Sequence, residues 1–228
     1  GIYRAIPHDG SLWLIYTAVP GAFYADSIVE IDLATQTART VINLGAFEAD
    51  NNPDGNEIDS NVTDIAWAAD GSLLISDAGA NTLYSWTADA GLAVVATWSE
   101  NSVPTSVEIG EDGSVYVGFL GAGLAPGAGK IEHWSNGELV ETFGGLTTVT
   151  DILLDGEDLY AVQMFLFGEQ GPGPGNVVKV TAEGAEVVQG DLPAPFAIAK
   201  GGDGALYVTT GTLVMGPDIT GGVYKIFQ

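Results

Sequence analysis

The chain has 228 residues, 46% hydrophobic and 16% charged, too apolar for disorder and too interrupted by turns for membrane-spanning helices. Thirty acidic residues against six basic ones give a formal net charge of −24, which repels phosphate backbones and anionic lipid and so argues against nucleic-acid binding and membrane insertion. With no cysteine, disulfide scaffolding, thiol catalysis and thiolate metal sites are excluded together.

The chain starts at Gly1 rather than Met, which reads as a processed or truncated N-terminus. Its first pattern is a clipped repeat: Pro7-His8-Asp9-Gly10 leads into an alternating strand, Ser11 to Ile15, with little room for a strand before it. A further strand follows at Ile28 to Ile31. The same unit then recurs, as a short apolar strand, an acidic-glycine turn, a stronger strand and, after a variable loop, another. Thr63 to Ala66 runs through Asp70-Gly71 into Leu73 to Ser76, and later Leu83 to Trp86. Thr105 to Val107 runs through Asp112-Gly113 into Val115 to Val117, and later Ile131 to Trp134. Thr150 to Leu153 runs through Gly156-Glu157-Asp158 into Leu159 to Val162, and later Val177 to Val180. Pro195 to Ile198 runs through Asp203-Gly204 into Leu206 to Val208, and later Val223 to Ile226.

Period-2 alternation marks these runs as strands, and the Asp-Gly pairs sit where a tight hairpin needs positive φ. The turns at Gly71, Gly113, Gly156 and Gly204 recur about every 40 to 50 residues, the period of a four-stranded propeller blade. The predicted fold is all-β, a β-propeller of four-stranded antiparallel blades forming a single domain over residues 1–228. Five repeats are recognisable, at approximately 1–44, 62–99, 103–146, 149–191 and 194–228, with an acidic inter-blade loop at 45–61. The last repeat stops at its third strand, an edge that the N-terminal segment is expected to cover.

Antiparallel alternation puts the tight turns at one end of the blades. The long loops (Thr17 to Asp26, Gly118 to Gly129, Met164 to Asn176, Thr209 to Gly222) lie at the other end, together with the connections between blades. Such loops on a rigid scaffold are where a small molecule or a protein would bind, or they are Gly/Pro-rich spacers around a channel mouth. Within the connection from Glu48 to Asn61, the residues Asp50, Asn52, Asp54, Gly55 and Asn56 fit the first half of a calcium loop. Asp59 and Asn61 extend the oxygen-rich set, although the twelfth position is Asn61 instead of a bidentate Glu, and no flanking helices are expected. The competing reading is a solvated acidic turn. A second group, Asp64 and Asp151 at equivalent positions with Asp77 and Asn81, faces the predicted channel; its competing role is to pin neighbouring blades in register.

Catalytic signatures such as a G-x-S-x-G elbow, a P-loop or H-E-x-x-H do not occur. The two histidines are His8, at the first turn, and His133, beside Trp134 on a strand.

The run Asn51-Asn52-Pro53-Asp54-Gly55, followed by Glu57-Ile58-Asp59-Ser60-Asn61, resembles the signature of the ScyD/ScyE family of bacterial proteins. Pro7-His8-Asp9, Asp77-Ala78-Gly79 with Asn81, Val103 to Val107, Tyr116 to Leu120, Thr150-Asp151-Ile152 and Pro195 to Val208 follow in the family's order. The resemblance implies an extracellular or periplasmic six-bladed propeller of the NHL-like kind, with a further blade upstream of Pro7 that is missing from this sequence. It supplies no established catalytic residues. A secreted binding or scaffolding propeller is therefore expected, its ligand face formed by the long loops and residues 48–61. The alternative is a calcium-dependent hydrolase similar to gluconolactonases, drawing on Asp64, Asp151, Asn61 and Asn81. A lyase would need a histidine base near the channel, for which His8 is the candidate.

Overall fold

The computed structural model describes residues 2–17, 25–98, 100–169, 171–211 and 220–226. Parts of two predicted loops, at 18–24 and 212–219, lie outside the described residues. The chain forms two compact units, residues 1–104 and 105–228.

The first unit holds two four-stranded antiparallel meanders and one helix. Strands β1 (Ile2–His8), β2 (Ser11–Tyr16), β3 (Ser27–Asp32) and β4 (Thr37–Asn43) pair in chain order. The first repeat therefore has its inner strand: β1 pairs with β2 from Ile2 to His8, through a register shift between Ile2 and Arg4, so the clipped reading is corrected. The sequence hid this strand because Ile2, Ala5 and Pro7 break the apolar alternation that marks its counterparts. Helix α1 (Leu44–Asn51) follows, then β5 (Val62–Trp67), β6 (Leu73–Asp77), β7 (Thr82–Thr87) and β8 (Gly91–Thr97). Their core gathers Trp13, Ile15, Ile28, Leu44, Leu73, Ile75 and Tyr84. These come mostly from alternate positions of the strands, and their burial is the main force holding the sheets against one another.

The second unit repeats the pattern. One meander comprises β9 (Pro104–Ile109, starting at the boundary), β10 (Val115–Phe119), β11 (Gly129–Ser135) and β12 (Glu138–Leu146). The next comprises β13 (Val149–Asp155), β14 (Asp158–Gln163), β17 (Gly175–Thr181) and β18 (Gly184–Leu192). A two-stranded ribbon, β15 (Leu166–Gly168) with β16 (Gly171–Gly173), rises from the predicted loop between β14 and β17. The last sheet has three strands among the described residues: β19 (Pro195–Lys200), β20 (Leu206–Thr210) and β21 (Gly222–Ile226). Core clusters in this unit gather around Ile131, Ile152 and Val178, around Val162, Leu206 and Val208, and around Met164, Phe165 and Ala194.

Two repeated devices explain why the sequence folds this way. The predicted hairpins are fastened by their own aspartates: Asp70 Oδ1 accepts from Ser72 N at 2.9 Å, Asp112 Oδ1 from Ser114 N at 3.0 Å and Asp203 Oδ1 from Ala205 N at 3.2 Å. Gly71, Gly113 and Gly204 then carry the positive φ (85°, 82° and 82°) that closes each turn. Buried threonines at equivalent inner-strand positions tie one meander to the start of the next. Within the second unit, Thr105 Oγ1 donates to Val149 O at 2.8 Å and Thr150 Oγ1 to Phe196 O at 2.7 Å. Among the described residues, no helix is long and apolar enough to cross a membrane.

Candidate functional site

The acidic connection is built on a helix that the strand pattern did not predict. Asn43 caps α1, its Oδ1 accepting from Ala46 N at 2.8 Å, and Asn52 ends it in the left-handed conformation (φ 40°), its N–H bonded to Glu48 O at 2.8 Å. Of the helix's own residues only Leu44 and Glu48 are buried, so no apolar stripe announced it. A helix therefore stands beside the calcium-like pattern, where none was expected, and the loop read at 45–61 begins with it.

Beyond Asn52 the chain turns tightly. Asp54 Oδ1 accepts from Asn56 N at 2.9 Å, while Oδ2 accepts from Asn56 Nδ2 at 2.9 Å and from Asn81 Nδ2 at 3.1 Å. Asn52 Nδ2 donates to Asn56 O at 3.0 Å. Asn52, Asp54 and Asn56 are thus joined in one network, whereas Asp50 stays exposed near the end of α1 and Asp59 is exposed further along. Among the described residues, no three carboxylate or imidazole side chains converge on a common point.

The far end of the connection is clamped by Asp77, the last residue of β6. This fully buried carboxylate accepts from Ser60 Oγ at 2.6 Å, Asn61 N at 2.7 Å, Gly79 N at 3.1 Å and Ala80 N at 3.1 Å. Burial pushes its carboxyl upward, and the four donors pull the other way. Ala78 N in turn donates to Asn61 O at 2.9 Å. The approach is close enough that a Cβ at Gly79 would stand 2.9 Å from Asn61 N and from Asp59 O. Asn81, also buried and left-handed (φ 45°), accepts from Val103 N at 3.1 Å and so joins the β6–β7 turn to the segment before β9.

These contacts leave a cleft of about 580 Å³ lined by Asn56, Glu57, Asp59, Asn61, Asn81 and Asn101, with Gly79 and Val103 in its walls. Asn81 is committed to the wall, and Asn61 Oδ1 accepts from Thr17 Oγ1. The cleft is presented with side-chain amides, each both donor and acceptor, and with the carboxylates of Glu57 and Asp59. Asn61 and Asn81 were expected at this end of the blades; Glu57 and Asn101 were not singled out, and an isolated loop asparagine carries no signal that would find it.

The remaining channel candidates separate from this group. Asp64, buried in β5, lies 2.8 Å from Arg4 Nη1 of β1 and accepts from Ile65 N at 2.9 Å. Asp151, at the equivalent position of β13, accepts from Ile198 N at 2.8 Å. Both tie neighbouring inner strands together. His8 stacks on Trp67, ring centroids 4.2 Å apart, at the end of β5 opposite Asn61, and His133 stacks on Tyr116.

One group was missed altogether. Glu48 is fully buried under α1; Oε2 accepts from Tyr84 Oη at 3.1 Å, and Oε1 has no hydrogen-bond partner. Burial pushes its carboxyl up, the Tyr84 bond opposes that, and the carboxylates of Asp54, Asp77 and Asp59 raise it further. No apolar stripe marks its helix, and its burial comes from the packing of α1 on Tyr84.

The chain is similar in fold to virginiamycin B lyase from Staphylococcus aureus (16% identity, TM-score 0.64), covering 100% of this chain and 71% of that one. It is similarly close to a streptogramin B lyase (18% identity, TM-score 0.61; 98% and 68% covered). Regucalcin, a calcium-binding protein from Agrobacterium tumefaciens, aligns at 17% identity with TM-score 0.62, over 88% of this chain and 63% of that one. The fold is a β-propeller. Its meanders are the blades, five of them among the described residues. At these identities the likeness shows the architecture and carries no chemistry across. No family model matches the chain, and no curated protein matches it.

Proposed function

We propose that this propeller is a secreted, non-catalytic binding module of the ScyD/ScyE type that takes a small hydroxyl-rich ligand in the amide-lined cleft. The cleft itself carries this reading: asparagine side chains offer paired donors and acceptors to vicinal hydroxyls, and Glu57 and Asp59 accept from further hydroxyls at its lip. A net charge of −24 favours neutral or cationic ligands over anionic ones. In this reading a calcium ion braces the connection that walls the cleft and takes no part in a reaction. The hydrolase alternative gains nothing from Asp64, because the Arg4 guanidinium already neutralises the carboxylate that a channel ion would need.

Calorimetric titration with a panel of neutral mono- and disaccharides tests the proposal. At least one should bind, and Asn61→Ala and Asn101→Ala should each weaken it by roughly 5- to 10-fold, the loss of one hydrogen bond. Absence of binding across the panel, or binding indifferent to both substitutions, would overturn it.

A further inference from the structure

The C-terminal half of α1 leaves two buried oxygens without a donor. One is Glu48 Oε1, on a side chain with no exposed surface. The other is Asn52 Oδ1, one helical turn further on. The amide orientation of Asn52 is set by its own bond, Nδ2 donating to Asn56 O at 3.0 Å, so the oxygen is held on the other side. Both orphans are acceptors. An ionised Glu48 and the Asn52 oxygen cannot satisfy one another, and buried acceptors without a donor are rare enough to require an explanation.

We propose that Glu48 Oε1 and Asn52 Oδ1 are two ligands of a hard divalent cation, calcium, held at the C-terminal end of α1. The donor types fit: calcium is bound by carboxylate and amide-carbonyl oxygens, with backbone carbonyls and water completing its shell. The position fits as well. The last carbonyls of a helix carry its negative dipole end, and α1 has no basic residue in its last turn to meet them. Three more carboxylates, Asp54, Asp59 and Asp77, act electrostatically on Glu48 and deepen the field that a cation would enter. Of the residues in the calcium-like sequence pattern only Asn52 is used; the carboxylate comes from the helix before it.

This deepens the reading of a braced connection and does not depend on the saccharide cleft. A bound ion would fix the C-terminus of α1 and hence the Asn52–Asp54–Asn56 turn, which reaches the cleft through the Asp54–Asn81 bond. The competing occupant is a proton: a neutral Glu48 would donate from Oε1 and need no ion.

The test is thermal melting of the full chain at neutral pH in chelator, followed by titration with calcium chloride, for the wild type, Glu48→Gln and Asn52→Gly. Glycine keeps the left-handed backbone of Asn52 and removes its side chain, Oδ1 together with the exposed Nδ2–Asn56 O bond, so that variant should fold even if the other does not. The wild-type Tm should fall in chelator and rise saturably with calcium. Each variant should bind calcium at least roughly tenfold more weakly. Asn101→Ala, in the cleft, should keep the full calcium response whatever its saccharide binding. A wild-type melt indifferent to chelator and to millimolar calcium would overturn the proposal, as would a calcium response surviving in both variants. Calcium indifference with a Tm that falls as pH rises above the ordinary carboxylate range, and a flat profile in Glu48→Gln, would assign the proton instead.

Discussion

Ser60 Oγ donates to Asp77 Oδ2 at 2.6 Å, joining the end of the acidic connection to the end of β6 through a bond buried on both sides. Asp77 also receives three backbone N–H groups, so it acts as a staple for residues 60–61 and for the β6–β7 turn together. Asp77→Ala would leave the Ser60 hydroxyl and three backbone N–H groups without their acceptor. The expected cost is about 3 kcal/mol of stability, read by chemical denaturation, with loss of cleft binding in the folded fraction.

Gly79 is needed for its lack of a side chain, since backbone atoms of Asp59 and Asn61 occupy the space where a Cβ would stand. Gly79→Ala should cost about 1–3 kcal/mol as the connection is pushed off the turn. Its hydrogen-exchange signature should be local, with faster exchange at Asn61 and Ala78, whose N–H groups bond Asp77 and Asn61 O.

Arg4 and Asp64 form a largely buried ion pair between β1 and β5, and removing one partner strands the other. Asp64→Ala should destabilise the chain by about 3 kcal/mol. A double-mutant cycle with Arg4→Met should return a coupling energy of about 1–3 kcal/mol. Additive effects would show that Asp64 has a role other than pairing with Arg4.

At the last blade, Lys225 Nζ and Tyr207 Oη donate to Asp203 Oδ2 at 2.7 and 2.9 Å, and with Ala205 N they lower its carboxyl to about 2. A folded-state pKa below the unfolded value means that the contribution is fully present above the unfolded value of about 3.9. It is lost as pH falls through the folded value. Acid titration followed by carboxyl-carbon NMR should show Asp203 titrating well below the ordinary aspartate value. Lys225→Met, which removes the largest cause of the lowering, should move it back toward that value.

The architecture was legible because its signals are local and repeated. Asp70, Asp112 and Asp203 each precede a glycine and fasten their own hairpin, so a single period exposes the blade. The inner strand β1 and helix α1 were not legible, for different reasons. Exposed apolar residues at Ile2, Ala5 and Pro7 blur the alternation of β1, and α1 buries a glutamate where an amphipathic helix would bury an apolar residue. The candidate site was half legible: the oxygen-rich run from Asn52 to Asn61 stood out by composition. That Asp77 would clamp it, that Asn101 would face it and that Glu48 would lie beneath it are consequences of tertiary placement. No spacing in the chain encodes them.

The connection clamped by Asp77 walls the cleft in which we propose that asparagine amides recognise a hydroxyl-rich ligand. The most direct measurement follows the side-chain amide resonances of Asn56, Asn61, Asn81 and Asn101 by NMR during titration with the neutral disaccharide that binds best. Binding in the cleft should give saturable shifts concentrated on Asn56, Asn61 and Asn101, with Asn81 moving little because its amide is already bonded to Asp54 and its oxygen to Val103. Shifts confined to other loops, or no shifts at saturating disaccharide, would contradict it.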